Sequence, residues 1–469
     1  MREQLKIKNL KTAEFSIDKV CKLFFYDNRV LRAINQPYVD QVQEMFKCGM
    51  MQELIEKELF INSWISDTKI EGYNLVIEHQ YIEFWNYPYE WSFNMLKDAA
   101  IAVLEINNIA NKYGYELFDV HAFNVVYDMS RPKYVDLGSF FLVEKANSKC
   151  WTGYLHFYNS FYIPLYLYTK GFSDLSQSIF LFNGFFNNKD FFILRYKYLG
   201  LLGFRISNLI YKLYNNSRRL AIARHFRVIE KYGKHKYIKY ILKFKKIFQN
   251  RFTLKKSFKL IKQIKDSKFD SYWKDYHNNL EPEKDKRFLR ILHIINTDLK
   301  DANSLIELAS NQGKFANFVL EKTHINRVIA TDYDKNAVDR IYLNNKDNHN
   351  ILPLVYDFVR PNGRSCDLKI ENRIKADIVM ALAISHHLIL SQEVSLKHIF
   401  KVLERLTNKY IIIEFMPLGL YSGNLENIPP VPEYYTLDWF KSSFSEYFDY
   451  CLDEEIDVNR HLFIGKIKN

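Results

Sequence analysis

Two stretches of this 469-residue chain carry residues whose types and spacing suit chemistry. In the first, SLIELASNQGKFANFVL (304–320), apolar residues lead through a turn of small side chains into a helix-like run and carry Glu307, Ala309 and Gly313. A turn of small residues at the C-terminal edge of a strand lets the backbone approach a ligand closely, at the place where open α/β sheets bind nucleotides. The next apolar run, RVIATD, ends in Asp332, about 20 residues beyond the turn, where a carboxylate accepts both hydroxyls of a ribose. His386, His387 and Glu414 stand at the ends of two later apolar runs, where they would be placed to take a proton from a hydroxyl or amine. In the second stretch, LFDVHAFNVVYDMSRPKYVDLGSF, Asp119 precedes Asn124 by five positions and Asp136 opens an Asp-Leu-Gly triplet. Each set has a plainer reading. Asp332 would cap the next helix or pair with Lys335, adjacent histidines would be one packed and one solvated, Glu414 would only order a loop, and the Asp119–Asp136 stretch would be a hairpin with capped turns.

Elements must position these groups. After Glu281–Arg287 the pattern is apolar strand, polar turn and helix, repeated, with strands expected at Ser304–Leu308, Arg327–Thr331, Asp377–Leu382 and Tyr410–Phe415. That alternation predicts an α/β fold with a mostly parallel, Rossmann-like sheet. Leu31–Tyr168 instead mixes strand-like runs (Tyr73–Glu78, Tyr81–Phe84) with a helical stretch, Ser92–Tyr113, and reads as a separate α+β domain. Between Asn208 and Lys265 apolar residues recur at helical spacing among lysines, as in Tyr237, Ile241, Phe244 and Phe248, predicting two or more basic amphipathic helices. The organisation expected is an α+β domain at 1–168, a basic helical linker at 169–274 and an α/β domain at 275–469.

Composition excludes global disorder, since 48% of residues are apolar and 26% charged. The net charge of +12 is concentrated: Arg195–Lys268 holds 22 Lys or Arg against Glu230 and Asp266, a net of +20 that leaves the rest of the chain at −8. Such a segment suits an anionic substrate or an acidic membrane surface; without a nucleic-acid motif beside it, specific nucleic-acid binding is not expected. Five scattered cysteines with no CxxC pair, and no apolar stretch of spanning length, point to a reduced cytoplasmic protein, with peripheral contact at the inner face of the membrane open to it.

The order and spacing of Glu307, Ala309, Gly313, Asp332 and Asp357 (in LPLVYDF) resemble the class I S-adenosylmethionine (SAM) dependent methyltransferases. The likeness extends through ADIVMALAISHHL, YIIIEFMP, YYTLDWFKSSFSEYF and RHLFIGK, which implies a late antiparallel hairpin. It implies that Glu307, Ala309 and Gly313 line the methionine end of SAM, that Asp332 binds the ribose and that Asp357 contacts the adenine amine. Ala309 stands where the family carries glycine, so its methyl group is either tolerated or tilts the cofactor. The SHHL and IEFMP segments resemble a bacterial group with a kinase-like N-terminal region, some members of which are associated with nodulation or cell-surface glycan modification; a glycan or cell-surface precursor as acceptor follows from that resemblance alone. Methyl transfer from a sulfonium is an in-line displacement, so a base is needed only to take the acceptor's proton: His387 or Glu414, with His386 beside them. The turn Pro417–Tyr435 would form part of an acceptor lid.

Asp119, Asn124 and Asp136 are similar in spacing to the protein-kinase catalytic loop and its Asp-Phe-Gly triplet. By that resemblance Asp119 would be the base for phosphoryl transfer, while Asn124 and Asp136 would hold Mg2+ on the phosphates of ATP. Leu117 and Phe118 replace the usual His and Arg, and neither a Gly-rich loop nor a matching lysine precedes them. A kinase-like scaffold or substrate-recognition domain is therefore expected in preference to an active phosphotransferase. A non-catalytic SAM-binding protein is the further alternative.

Overall fold

The computed structural model describes residues 4–12, 18–143, 151–182, 205, 254–265, 280–421 and 428–468. The chain forms two compact units, one of Met1–Tyr81, Leu96–Val126 and Pro132–Lys268, the other of Ile82–Met95, Tyr127–Arg131 and Phe269–Asn469.

In the first unit, strands β1 (Lys11–Thr12), β2 (Cys21–Tyr26), β3 (Arg29–Ile34), β4 (Ser63–Ile65) and β5 (Val76–His79) make an antiparallel sheet in the order β1-β2-β3-β5-β4. Helices α1 (Val39–Lys47) and α2 (Met50–Glu56) follow β3 and bury Val42, Met45, Met50, Met51 and Leu54. The long helix α3 (Phe93–Lys112), of which Leu96 onward belongs to this unit, leads to β6 (Tyr115–Leu117), to the hairpin β7 (Val125–Asp128) and β8 (Arg131–Tyr134), whose tip Tyr127–Arg131 belongs to the other unit, and to β9 (Phe140–Leu142), which pairs antiparallel with β6. The expected strand at Tyr81–Phe84 is absent. The backbone just beyond it is instead held by a side chain, the Trp85 carbonyl accepting from Arg373 at 2.9 Å. Most of the predicted basic helical region lies outside the described residues; its last part, Leu254–Gln263, is helical and buries Ser257 and Ile261.

The second unit is built on seven strands: β10 (Ser304–Leu308), β11 (Arg327–Asp332), β12 (Ile351–Val355), β13 (Ala376–Ala381), β14 (Thr407–Phe415), β15 (Phe448–Asp457) and β16 (Arg460–Ile467). Their order is β12-β11-β10-β13-β14-β16-β15; the first five are parallel, and β16 is antiparallel to both neighbours. Strands β10 and β13 read as near-continuous apolar runs because both faces are covered, and every residue of β10 is buried. Amphipathic helix α4 (Lys286–Thr297), capped by Asp285, buries Phe288, Ile291 and Ile295 in the core that also holds Leu305, Val328, Ile378 and Ile412. Helix α5 (Lys314–Lys322) follows β10, and Phe315 in its first turn stacks on Phe288 with ring centroids 4.0 Å apart. Because the strands are parallel, the ends of β10, β11, β13 and β14 share one edge, which gathers distant residues in one place.

Residues 82–95 belong to this unit by chemistry as well as by contact. Glu90 accepts from Arg373 at 2.5 and 3.0 Å, and the side chains of this ion pair are only 4% and 2% exposed. The Arg373 guanidinium lies 4.5 Å from the centre of the Tyr87 ring. Buried Asp339 accepts from Ser92 Oγ (2.6 Å) and from the backbone N and Nδ2 of Asn94 (2.7 and 2.6 Å). Removing one partner of such a buried pair costs about 3–5 kcal/mol.

Candidate cofactor and acceptor site

The turn after β10 repeatedly visits left-handed backbone, with φ of +55° at Ala309, +49° at Asn311 and +66° at Gly313. Gly313 fits because an added Cβ would also stand 3.1 Å from Ile341, whereas Ala309 carries a methyl group in a conformation that disfavours one. Ser310 ties the turn to β11 through its N–H and hydroxyl, which donate to the Thr331 carbonyl at 2.8 and 3.1 Å. The Asn311 N–H donates to Asp332 Oδ2 at 2.9 Å. The turn and the acid at the end of the next strand are thus one structure, as their spacing implies.

Glu307 is buried, and its Oε2 has no hydrogen-bond partner. Burial raises its carboxyl to about 8; the Ala316 N–H and the charge of Arg287 oppose this and Asp332 adds to it. Burial likewise raises Asp332 to about 6 against the N–H groups of Asp334 and Asn311, which its two oxygens accept at 2.8 and 2.9 Å. Asp357 lies past β12 and accepts from the N–H groups of Val359 and Arg360, both at 3.1 Å. Tyr333, between Asp332 and Asp334, is 56% exposed, an aromatic side chain at this edge that spacing alone did not single out.

Past β13 the backbone of Ala383 is again left-handed (φ +50°), and its N–H donates to Glu414 Oε2 at 2.8 Å. The rings of His386 and His387 stand 4.1 Å apart at the start of a π-helical turn, His387–Ser391. Such turns recur at functional sites. Burial, His387 and Arg460 lower His386 to about 3, and its Nδ1 has no partner; burial also lowers His387. Both rings are neutral at pH 7. Glu414, at the inner end of the same edge, is fully buried and bound by Ala383 N–H, by Arg460 Nη1 at 2.9 Å and by Arg287 Nη1 at 3.3 and 3.4 Å. Neither arginine carried a signal in the sequence, since nothing local marks a residue that finds its carboxylate only after folding. Beyond the histidines a cavity of about 910 Å³ is lined by Leu390, Pro430, Tyr434, Trp439, Glu446 and Tyr447, among others, which brings part of the expected lid turn to its wall.

The other predicted set also converges. Asn124 Nδ2 donates to the Asp119 carbonyl (2.9 Å) and to Asp136 Oδ2 (3.3 Å). Asp136 accepts further from Gly138 N–H (3.1 Å), from Arg32 Nη1 (3.3 Å) and from the Ser139 hydroxyl. Arg32, on β3, also faces Asp18 at 3.9 Å. Burial would raise Asp119, but a hydrogen bond with His156 and the charges of His121 and His156 hold it below its ordinary value.

No protein-family model matches the chain. It is 24% identical over 415 residues to the nodulation protein NoeA of Rhizobium meliloti (strain 1021), an alignment covering 84% of this chain and 83% of that protein. Solved structures similar to it include SAM-dependent methyltransferases. One from Aquifex aeolicus aligns with 41% of this chain and 93% of its own at 12% identity (TM-score 0.30). The N-methyltransferase NodS of Bradyrhizobium japonicum WM9 aligns with 41% of this chain and 99% of its own at 11% identity (TM-score 0.29). The PH0226 protein of Pyrococcus horikoshii OT3 aligns with 42% of this chain and 99% of its own at 16% identity (TM-score 0.32). Among the described residues no helix is long and apolar enough to cross a membrane.

Proposed function

We propose that the seven-stranded unit is a SAM-dependent methyltransferase acting on a hydroxyl or amine. The observation that carries this reading is the buried, unpartnered Oε2 of Glu307 above a left-handed turn that is tied to Asp332. A buried polar atom without a partner costs free energy unless a ligand satisfies it, and an ammonium group would do so. The donor set therefore fits SAM. Glu307 would take the α-ammonium, Asp332 the ribose hydroxyls and Asp357 the adenine amine, with the turn 309–313 admitting the cofactor's backbone-close end. When bound, SAM supplies the methyl group on a sulfonium.

The chain's own task is to align and deprotonate the acceptor. His387 is the base in this reading: it is neutral at pH 7 and less deeply buried than His386, whose much lower value makes it a poor proton acceptor. His386 would offer the acceptor a hydrogen bond through Nδ1. Glu414 holds two guanidinium groups and orders the edge, and its committed oxygens suit that role better than proton transfer. The cavity beside Tyr434 and Trp439 would receive the acceptor, for which a glycan or other cell-surface precursor is the class the sequence resemblance favours. Incubating the protein and cell extract with methyl-labelled SAM and fractionating the product tests this. Label in carbohydrate-containing fractions is expected, and label confined to nucleic acid would overturn the acceptor assignment.

For the N-terminal unit we propose a kinase-like scaffold that presents the acceptor or supports the other unit. Both Asp136 oxygens are already taken by Arg32, Gly138, Ser139 and Asn124. As arranged, this set does not fit Mg2+ with ATP.

A further inference from the structure

The amino-acid end of SAM is a zwitterion, and Glu307 answers only its positive half. The α-carboxylate would otherwise come to rest beside two acids, Glu307 and Asp332, so the site needs a cation close to the β10 turn. Arg287 is fixed there by packing. It stands in the first turn of α4, its guanidinium carbon lies 4.1 Å from the centre of the Phe288 ring, and Phe288 stacks on Phe315 in the first turn of α5. Its charge is felt by Glu307.

The hydrogen bonds of Arg287 are those of a group that can be recruited. Two guanidinium groups share the single carboxylate of Glu414: Arg460 at 2.9 Å, Arg287 at 3.3 and 3.4 Å. The contact of Arg287 with Asp285 is longer still, 3.5 Å. If Arg287 turns to a ligand, Glu414 remains compensated by Arg460 and by the Ala383 N–H at 2.8 Å, so no buried charge is stranded. Arginine also presents paired N–H groups in the planar fork that a carboxylate accepts.

We propose that Arg287 binds the α-carboxylate of SAM and that Glu414 is the positioning residue that holds it ready. This rests on the cofactor reading above and adds a residue that the motif resemblance does not supply.

The test uses the full chain and two probes: S-adenosylhomocysteine, which keeps the amino-acid end, and 5′-methylthioadenosine, which lacks it. Arg287→Gln should weaken S-adenosylhomocysteine about 30-fold, the loss of a charged hydrogen-bond pair, while 5′-methylthioadenosine stays within about twofold. Arg287→Lys, the gentler variant should Arg287→Gln fold poorly, keeps the charge without the fork and should weaken only S-adenosylhomocysteine, by less. Arg460→Gln leaves Arg287 as the guanidinium on Glu414, so recruiting it would strand that buried carboxylate, and the variant should weaken S-adenosylhomocysteine while 5′-methylthioadenosine stays within about twofold. Equal loss of both probes in the Arg287 variants, or no loss of either, would overturn the proposal while leaving the cofactor reading intact. A native protein that binds neither probe would remove the cofactor reading and this inference with it.

Discussion

The edge around Glu307 and the cluster around Asp136 contain the same kinds of residue, carboxylates beside arginines, yet they are finished differently. Around Asp136 both carboxylate oxygens are taken by the protein itself, by arginine, amide, hydroxyl and backbone N–H, and the buried atom left without a partner is a donor, Arg32 Nε. Around Glu307 the accounts stay open, with an oxygen and the Nδ1 of His386 buried without partners and two acids pushed towards their neutral forms. A carboxylate satisfied by the protein rigidifies a fold, whereas one left open stores the cost that a ligand relieves. Composition alone would not have separated the two.

The largest effect that would sharpen this contrast is expected at Asp136. Asp136→Ala leaves Arg32, whose side chain is 10% exposed, with the neutral Val135 carbonyl and the longer contact to Asp18, and should destabilise the protein by about 3 kcal/mol while cofactor affinity in the folded fraction is unchanged. Thermal unfolding and calorimetry on one preparation would check both parts. A stable variant that loses magnesium-dependent ATP binding would show the cluster to be a nucleotide site and would break the contrast.

At Glu307 the expected effect follows from proton linkage. A carboxyl raised to about 8 binds a proton in the folded state across the range from its ordinary value of 4.5 up to that point, while the unfolded chain has released it. The ligand-free protein should therefore lose stability as pH rises from 5 to 8, and Glu307→Gln should flatten that slope. Binding of an ammonium group at pH 7 should expel the proton, so titration with SAM in buffers of different ionisation enthalpy should show release approaching one proton, absent in Glu307→Gln. Binding without proton release would place the ammonium elsewhere.

The smallest effect is at Ala309. Replacing it by glycine removes a methyl group held at φ +55° and should stabilise the protein by about 0.5–1 kcal/mol, with cofactor affinity equal or higher. A loss of stability would mean that the methyl group packs usefully in the turn.

What the sequence made legible is what local pattern encodes. The strand Ser304–Leu308 matches its apolar run, and Arg327–Asp332 and Ala376–Ala381 differ by a residue at their ends, because buried parallel strands must be continuously apolar. The turn at 309–313 was visible through its small residues, and the acids were visible as strand ends. Glu90 with Arg373 was not visible, being 283 residues apart, nor was Glu414 with Arg287, 127 apart. Such pairs have no period and no turn signal. Tyr81–Phe84 misled for the same reason: its aromatic and β-branched residues suit a strand, but a side chain reaching in from far along the chain, Arg373, takes up the adjoining backbone.

The central claim is that the open edge is a SAM site, and the most direct test is a calorimetric titration of S-adenosylhomocysteine into native protein and Asp332→Ala under identical conditions. The Asp332 carboxylate would accept both ribose hydroxyls, so its removal should weaken binding by at least about tenfold without unfolding the protein. Equal affinity in the two proteins would contradict the assignment of this edge as the cofactor site.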